Sequence, residues 1–258
     1  MDLQITGLRV LVTAGASGIG LQIARAFVTE GANVHVCDVD EQALEALGQS
    51  DPALGRSRAD VASRDDTARL FKEAVGSLGG LDVLVNNAGI AGPTGRVDKI
   101  APEEWDQTLA VNITGQFNCA RLAVEHLQHS DNPSIVNLAS VAGRHGFAKR
   151  TPYAASKWAV VGFSKSLSIE LGEFDIRVNA ILPGAIDGPR IQRVFAAKAA
   201  ERGVAPEDIQ AEVLSTMSLK RLIDPSDIGR LIVFICSPMG RNSSGQALSV
   251  CGDAQMLI

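Results

Sequence analysis

The sequence predicts a single α/β domain in which helices cover both faces of a doubly wound parallel β-sheet of about seven strands. Two observations lead to this prediction. Apolar segments typical of β-strands alternate with segments of helical periodicity along most of the 258 residues. The apolar segments are also nearly continuous runs of Val, Ile and Leu, as expected of parallel strands buried on both faces. No repeat, linker or low-complexity segment divides the chain, so one domain over residues 1–258 is expected.

The predicted elements follow one another in the order of these runs. Strands are predicted over residues 8–14, 32–38, 57–60, 81–89, 134–140, 176–184 and 247–252. Helices are predicted over residues 19–31, 40–48, 63–79, 102–127 and 152–172. Ser63 and Asp66 form a capping pattern, and Pro102 suits the first position of a helix. The charged helical stretch over residues 188–218 interrupts the alternation, and an excursion of this length is more typical of a lid than of disorder.

Composition excludes several classes of protein. Hydrophobic residues make up 46% of the chain, and the formal net charge of −5 comes from interspersed acids and bases, so neither nucleic acid nor an anionic membrane is an expected partner. The four cysteines are far apart and the histidines lack metal-ligand spacing, which favours a reducing compartment and no metal site. No signal-peptide pattern and no apolar run of about 20 residues occurs. A soluble, cytoplasmic protein is therefore expected.

A glycine-rich turn, TAGASGIG at residues 13–20, joins the first strand to the first helix. Glycines here let the backbone approach a pyrophosphate, whose charge the free N–H groups of the helix N-terminus stabilise. The spacing is GxxGxG rather than the more familiar GxGxxG, and no Lys-Ser/Thr pair follows as in a P-loop. A turn that merely packs the helix on the strand remains an alternative.

Asp38 strengthens the dinucleotide interpretation. It ends the second strand, 18 residues after Gly20, where a carboxylate can accept hydrogen bonds from an adenosine ribose. The same carboxylate would repel a 2′-phosphate, which favours NAD over NADP. The alternative role for Asp38, which does not exclude the first, is that of N-cap for the helix that follows.

Further motifs at characteristic spacing make the chain resemble the short-chain dehydrogenase/reductase family over essentially its whole length. In order, the motifs are TAGASGIG (13–20), Asp60 after the third strand, NNAG (86–89), Asn112, Ser140, YAASK (153–157) and PG (183–184). The resemblance implies a Rossmann-like fold, an NAD(P)-dependent oxidoreductase that acts on a hydroxyl or carbonyl group of a small molecule, and a homotetramer. Apolar residues around much of the two long helices, 102–127 and 152–172, also suggest packing on a second subunit.

The resemblance assigns roles to residues at matching positions. The implied catalytic residues are Asn112, Ser140, Tyr153 and Lys157. The implied cofactor contacts are Gly15, Ser17, Gly18, Ile19 and Gly20 at the pyrophosphate, Asp38 at the adenosine ribose, Asp60 and Val61 at the adenine, Asn87, Ala88 and Gly89 along the cleft, and Pro183, Gly184 and Ile186 at the nicotinamide, with Tyr153 and Lys157 also near the cofactor.

Three positions depart from the family pattern. Ala14 stands where a first glycine is usual, a change that should be tolerated if the backbone conformation there is ordinary. Gly188 replaces a threonine that commonly bonds the nicotinamide amide, and a glycine has no side chain to make this bond. Near the end of the chain, CGDA (251–254) replaces a more usual DGG, which bears on the subunit contact expected there.

The chemistry centres on Tyr153, the only tyrosine of the chain. A free phenol is a poor base at neutral pH, since its reference pKa is about 10. Residues i and i+4 share a helix face, so Lys157 can place a cation near the phenol and favour the phenolate. Ser140 can then donate a hydrogen bond to the substrate oxygen, and by resemblance Asn112 would interrupt its helix locally and hold a water in a proton relay.

The sequence is also compatible with other roles for these residues. A Tyr/Lys pair at this spacing is usually a surface contact, and the fold could also carry a non-catalytic dinucleotide-binding module. An NADPH-dependent reductase of 3-ketoacyl groups is disfavoured by Asp38 and by the lack of a basic residue at 14–17. Basic residues near the catalytic stretch and in the expected lid would suit an anionic substrate, although solvated surface charges are the commoner case; they are Arg144, Lys149, Arg150, Arg190 and Arg193. The substrate itself is not determined by the sequence.

Overall fold

The computed structural model describes residues 2–257, so Met1 and Ile258, the two ends of the predicted domain, lie outside the described residues. Seven parallel strands form one sheet in the order β3-β2-β1-β4-β5-β6-β7, which confirms the predicted doubly wound architecture. The strands are β1 Arg9–Thr13, β2 Asn33–Asp38, β3 Gly55–Arg58, β4 Val83–Asn86, β5 Ser134–Leu138, β6 Arg177–Pro183 and β7 Ala247–Val250. The α-helices are α1 Gly18–Thr29, α2 Glu41–Ser50, α3 Arg64–Leu78, α4 Pro102–Leu109, α5 Gly115–Leu127, α6 Thr151–Glu170, α7 Pro189–Arg202, α8 Pro206–Ser215 and α9 Pro225–Cys236.

Alternate residues of each strand enter two separate cores. In β1, Val10 and Val12 pack in the core that contains residues of α1, α2 and α9. Leu11, between them, packs in the opposite core with residues of α3 and α5. This alternation follows from the two-residue period of a strand, and it explains why the strands are apolar without interruption. No helix within residues 2–257 is both long and apolar enough to cross a bilayer.

The structure differs from the prediction at one strand and contains one helix that was not predicted. The third strand runs over Gly55–Arg58 rather than 57–60, because Asp60 lies in the following turn, where its N–H donates to the Asp66 carboxylate at 3.0 Å. This strand lies at the edge of the sheet and carries Gly and Arg, so its apolar signal is weak. Helix α9, which covers the α1 face, was not among the predicted elements.

The predicted helix over 102–127 is divided by a π-helical turn at Ala110–Thr114. Asn112 lies in this turn and is fully buried. A π turn adds one residue to the helical repeat, and such turns occur often at functional sites. Residues 188–218, the expected lid, contain α7 and α8, whose own small core forms around Phe195 and Ile209.

A chain of polar contacts leads from the buried His35 of β2 through Ser57 of β3 to the exposed Glu73 of α3. The Nε2 atom of His35 lies 2.9 Å from Ser57 Oγ, which donates to Glu73 Oε2 at 2.6 Å. The other ring nitrogen, Nδ1, is buried without a hydrogen-bond partner. Burial lowers the pKa of His35, with the charge of Glu73 opposing. Gly55 leaves room for the ring, since a Cβ there would lie 2.5 Å from Nδ1.

We expect His35 to make folding stability depend on pH. Its imidazole stays neutral in the folded protein, whereas the unfolded chain takes up a proton below about pH 6.5. The stability contributed by the neutral ring is therefore complete above that pH and is lost as the pH falls toward the lowered folded-state pKa, by at most about 1.4 kcal/mol per pH unit. The cost of His35→Gln in urea unfolding should be smaller at about pH 5.5 than at about pH 7.5.

The matched control is His129→Gln, because His129 is exposed and its Nδ1 lies near the Glu125 carbonyl. Its cost at about pH 7.5 should be within about 0.5 kcal/mol, as is usual for a substitution at an exposed position. A cost of His35→Gln that is the same at both pH values would contradict the prediction.

Candidate active site

The residues singled out by sequence gather at the carboxyl edge of the sheet. The direction of strand addition reverses between β1 and β4, and a crevice opens at such a switch point. Thr13 ends β1 and Asn86 ends β4. Ser140 lies two residues after the end of β5, and Gly184 follows β6 directly. Parallel strands bring these ends together although they are far apart in sequence.

The glycine-rich turn is held by close backbone contacts. A Cβ on Gly20 would lie 2.1 Å from the Ala14 carbonyl oxygen, and a Cβ on Gly15 would lie 2.6 Å from Val36 Cβ. Gly18 differs: its φ is +53° and no atom lies within 4 Å of a Cβ there. Gly20 of α1 thus packs tightly on the residue after β1, Gly15 packs on β2, and the turn at Gly18 stays open.

Asn87 ties this turn to β4. Its side-chain amide donates to the carbonyls of Thr13 at 2.9 Å and Ala14 at 3.0 Å. The Thr13 hydroxyl in turn accepts from the backbone N–H groups of Asn87 and Ala88, both at 3.0 Å. The NNAG motif therefore positions the turn, and Gly89 continues toward Asn112 and Lys157: a Cβ on it would lie 3.3 Å from Asn112 Oδ1 and from Lys157 Nζ.

Asp38 lies beside the glycine-rich turn, as predicted. Its carboxylate accepts weakly from the Ala16 N–H at 3.3 Å and from the Asp40 N–H at 3.2 Å. The N-cap of α2 is Asp40, which accepts from the Ala43 N–H at 3.0 Å. The alternative role of Asp38 as that N-cap is wrong, and its oxygens make only these long contacts.

Asp60 and Val61 lie at the next strand end. The exposed Asp60 accepts from the Ala62 N–H at 2.9 Å, so its carboxylate mainly orders its own turn. Val61 is buried against Gly115, and its carbonyl accepts from the Asn118 side chain at 3.0 Å. Of these two residues, only Asp60 is exposed to solvent.

The π turn presents Asn112 to the loop after β4. Its Oδ1 accepts from the Ile90 N–H at 2.8 Å and its Nδ2 donates to the Ile90 carbonyl at 3.0 Å. The same amide nitrogen donates to Ser156 Oγ at 3.0 Å, and Ser156 donates to the Tyr153 carbonyl at 2.7 Å. Asn112 therefore joins the loop to the helix that carries Tyr153.

Lys157 lies fully inside the protein, 4% exposed, with no carboxylate partner among residues 2–257. Its Nζ donates to the Leu138 carbonyl at 2.9 Å and lies 5.7 Å from the centroid of the Tyr153 ring. Burial lowers the pKa of Lys157 to about 7, and the charge of Arg190 acts in the same direction. The charge on this lysine therefore responds to nearby groups at neutral pH.

Ser140 begins a short 3₁₀ turn at Val141–Gly143, where its Oγ accepts from the Ala142 N–H at 3.1 Å. This accepted bond leaves the hydroxyl proton for another partner. Gly143 lets the turn approach α6 closely, because a Cβ there would lie 2.6 Å from the Lys157 carbonyl oxygen.

Sequence reasoning missed a row of buried amides beneath these residues. Asn86 donates to Asn137 Oδ1 at 2.9 Å, and Asn137 donates to Ser164 of α6 at 2.9 Å. Gln116 donates to the Leu138 carbonyl at 3.2 Å, so this carbonyl accepts from both Gln116 and Lys157. One feature of the sequence could have indicated this row: the polar Gln116 lies on the apolar face of α5, in helical register with Cys119, Ala123 and Leu127.

Sequence reasoning also assigned Arg150 no specific role beside Tyr153. Its guanidinium carbon lies 5.3 Å from the centroid of the Tyr153 ring, and its Nη2 donates to the Ala91 carbonyl at 2.7 Å. Helical spacing did not predict this contact, because Arg150 lies just outside helix α6.

Comparisons with known proteins agree with this geometry. A family model described as enoyl-(acyl carrier protein) reductase matches residues 13–252. The D-beta-hydroxybutyrate dehydrogenase of Cupriavidus necator is 32% identical over 254 residues, which are 96% of this chain and 98% of that protein. The 3-oxoacyl-(acyl-carrier-protein) reductase FabG of Thermotoga maritima is 33% identical over 258 residues, covering 97% and 98%. The crystal structure of an actinorhodin polyketide ketoreductase variant with NADPH superposes with a TM-score of 0.91 at 32% identity, covering 99% of both chains.

The chain belongs to the short-chain dehydrogenase/reductase family. It is therefore an oxidoreductase that uses a nicotinamide dinucleotide and acts on hydroxyl or keto groups of small molecules. The alternative of a non-catalytic binding module does not fit this membership.

The residues at the first turn fit the dinucleotide that the family uses. Ser17, the N-cap of α1, makes no side-chain cap bond, so the first N–H groups of the helix lack an internal partner. The open space over Gly18 leaves this helix end accessible to a phosphate. Asp38 stands next to the same turn with oxygens suited to ribose hydroxyls.

Two departures from the family pattern have structural consequences. Ala14 has a φ of +50°, so the condition of an ordinary backbone is not met; the left-handed conformation costs roughly 1–2 kcal/mol for a residue with a Cβ. Gly188 has a φ of +146° and a ψ of 177°, a region essentially limited to glycine. A threonine could not adopt this backbone without strain.

The PG pair packs on the end of the chain. A Cβ on Gly184 would lie 2.7 Å from Cys251 Cα, so the CGDA segment lies directly against it. Beyond the pair, Asp187 N–H donates to the Ile223 carbonyl at 2.8 Å and Ile223 N–H donates to the Ala185 carbonyl at 2.9 Å. These two bonds close the base of the segment that contains α7 and α8.

We expect Gly143→Ala to separate the 3₁₀ turn from α6. The new methyl group meets the Lys157 backbone at 2.6 Å, where neither neighbour is a flexible side-chain end. Overpacking of this kind costs about 1–3 kcal/mol in the free energy of unfolding, measured in urea. The matched control is Gly146→Ala, since no atom lies within 4 Å of a Cβ there. Equal stability of the two variants would contradict the expected clash.

Proposed function

We propose that the protein is an NAD(H)-dependent oxidoreductase that interconverts a secondary alcohol and a ketone, with Tyr153 as the general acid/base. The observation that carries this proposal is the position of Lys157, buried on the same helix as Tyr153 with its ammonium 5.7 Å from the phenol ring. A cation in this position favours the phenolate, and within residues 2–257 no carboxylate forms an ion pair with it.

Each side chain has a separate task in the proposed reaction. When bound, the nicotinamide ring exchanges a hydride with the carbon that carries the substrate oxygen. Ser140 donates its hydroxyl proton in a hydrogen bond to that oxygen, and Tyr153 takes the alcohol proton in oxidation or returns it in reduction. Lys157 supports the phenolate, and Asn112 keeps the loop at Ile90 and the helix at Ser156 in register.

We propose the remaining cofactor contacts on the family pattern. The set comprises Gly15, Ser17, Gly18, Ile19, Gly20, Asp38, Asp60, Val61, Asn87, Ala88, Gly89, Pro183, Gly184 and Ile186. Support for NAD comes from the carboxylate of Asp38 beside the turn, because it would repel a 2′-phosphate.

A second candidate is reduction of 3-oxoacyl groups with NADPH. It has support from the Thermotoga maritima relative, which is a 3-oxoacyl-(acyl-carrier-protein) reductase, and from the ketoreductase structure with NADPH. The hydroxybutyrate dehydrogenase relative supports the first candidate. Choice of cofactor separates the two.

We propose that residues 188–218 act as the substrate lid. The pair α7 and α8 has a small core of its own, its base is closed by the bonds at Ile223, and Gly188 lies at its start with a backbone only glycine favours. A segment built in this way can move as a unit.

We also propose a homotetramer, as the family resemblance implies. Exposed apolar side chains on α5 and α6 support it: Phe117 is 43% exposed, Trp158 53% and Ile169 84%. Side chains of this kind on neighbouring helices are typical of a subunit interface.

Tyr153→Phe should fold normally and lose turnover by at least about 100-fold, since general acid/base catalysis contributes about 10²–10⁴-fold. Reduced-nicotinamide absorbance with a panel of secondary alcohols and ketones measures turnover, and circular dichroism checks the fold. The matched control is Ser166→Ala, which removes an exposed hydroxyl from the same helix. Retained activity in Tyr153→Phe would overturn the mechanism.

Wild-type kcat/KM should favour NAD over NADP by at least about tenfold, which corresponds to about 1.4 kcal/mol. Asp38→Asn should reduce this preference, because it removes the repulsion of a 2′-phosphate. Asp40→Asn is the control: it removes an equal charge two residues away, where the carboxylate caps α2. A wild-type preference for NADP would refute the role of Asp38 and favour the second candidate.

A further inference from the structure

Two basic side chains lie beside the aromatic rings of Phe147 and Tyr153. The guanidinium carbon of Arg150 lies 5.4 Å from the centroid of Phe147 and 5.3 Å from that of Tyr153. Lys198 of α7 places its Nζ 5.8 Å from the Phe147 centroid. Arg190 lies at the start of α7, and its charge acts on Arg150. We call Arg150, Arg190 and Lys198 the basic cluster.

Arg150 carries a partly buried charge without an acidic partner. Its Nη2 donates to the Ala91 carbonyl at 2.7 Å, and its Nε is buried with no hydrogen-bond partner. Within residues 2–257 no carboxylate forms an ion pair with it. Burial lowers the pKa of Arg150, the charge of Tyr153 opposes this, and the charge of Arg190 adds to it. An uncompensated buried charge is unfavourable, and an anion would relieve it.

Arg190 belongs to the same electrostatic environment. Its positive charge acts on both Arg150 and Lys157, lowering the pKa of each in addition to the effect of burial. Glu201 pairs with Lys149 at 3.2 Å and Glu212 pairs with Arg202, and the charges of both carboxylates also act on Lys198. Neither Arg150 nor Arg190 forms an ion pair with a carboxylate within residues 2–257, so these two arginines carry the positive charge that a substrate can meet.

We propose that Arg150 and Arg190 bind a carboxylate of the substrate, so that the protein acts on hydroxy acids and the corresponding oxo acids. This inference rests on the proposed function and names the substrate class of the same site. Arginine suits the task because its planar fork pairs with a carboxylate through two hydrogen bonds. Since Arg150 lies over the Tyr153 ring, the carboxylate lies only a few bonds from the carbon that reacts.

A competing role for Arg150 is support of the Tyr153 phenolate alone. The two roles differ in whether they discriminate between substrates with and without a carboxylate. A carboxylate contact discriminates a hydroxy acid from its methyl ester, whereas support of the phenolate affects the oxidation of both equally.

The first experiment compares kcat/KM for short hydroxy acids and for their methyl esters. Wild type should favour the acids by at least about tenfold, and Arg150→Met should reduce the acid-to-ester ratio by roughly 10- to 100-fold, the usual effect of losing a charge-assisted pair. Methionine keeps an apolar side chain between the two rings. Arg190→Gln should reduce the ratio to a smaller extent, and because Arg190 is exposed this variant does not threaten the fold.

The matched control is Lys149→Met, which removes an equal charge from the neighbouring residue, where the ammonium is exposed and paired with Glu201. Its acid-to-ester ratio should equal that of wild type. Equal use of acids and esters by wild type would overturn the carboxylate site while leaving the proposed function intact. An equal loss with acids and esters in Arg150→Met would overturn it in favour of phenolate support.

A second measurement does not depend on turnover. The thermal midpoint of wild type with NAD should rise on addition of the same hydroxy acids, rise less with their amides, and lose the difference in Arg150→Met. If no alcohol is oxidised but the carboxylates still raise the midpoint through Arg150, the proposed function fails and the carboxylate site stands. If acids and amides have the same effect, the carboxylate site fails.

Discussion

The hydrogen bond from Lys157 to the Leu138 carbonyl is the contact on which the rest of the site depends. It joins helix α6 to the end of β5 and is made by an ammonium that is almost completely buried. Removing such a group from water is costly, so the surrounding structure must hold it firmly. Gln116 shares the carbonyl, and Gly143 allows the turn after Ser140 to touch the Lys157 backbone. Because Tyr153 lies one helical turn away, fixing the lysine also fixes the phenol.

The amide side chains beneath the site extend this restraint across the sheet. Asn86 and Asn137, at paired positions of β4 and β5, bond each other, and Asn137 reaches Ser164 two turns beyond Lys157. Asn112 performs the corresponding task one residue before Lys157, through Ser156. Helix α6 is thus bonded to the central strands at several levels, and the reacting side chains need little rearrangement when a substrate binds.

The sequence predicted those features that depend on local periodicity. The parallel sheet, the glycine-rich turn, the position of Asp38 at a strand end and the shared face of Tyr153 and Lys157 follow from the two-residue period of strands, the period of about four residues in helices, and short motifs. Features set by tertiary contacts were out of reach. Periodicity did not indicate the π turn at Asn112, where the amide pairs with Ile90, 22 residues away; only the family resemblance implied that the helix is interrupted there. Edge strand β3 is polar, so its bounds were misplaced, and the left-handed backbone of Ala14 depends on packing that no short pattern records.

The charges around Tyr153 connect substrate binding with proton transfer. Burial and, to a smaller extent, the charge of Arg190 together lower the pKa of Lys157 to about 7, so an anion placed near Arg190 would raise that pKa again. Lys157 would then hold its proton more firmly and favour the phenolate of Tyr153. Because Arg190 lies at the start of α7, the position of this segment sets the strength of the effect. A carboxylate substrate that moved Arg190 toward Arg150 would thereby raise the pKa of Lys157 and favour the Tyr153 phenolate, which accepts the alcohol proton. A neutral alcohol would leave the pKa of Lys157 lowered.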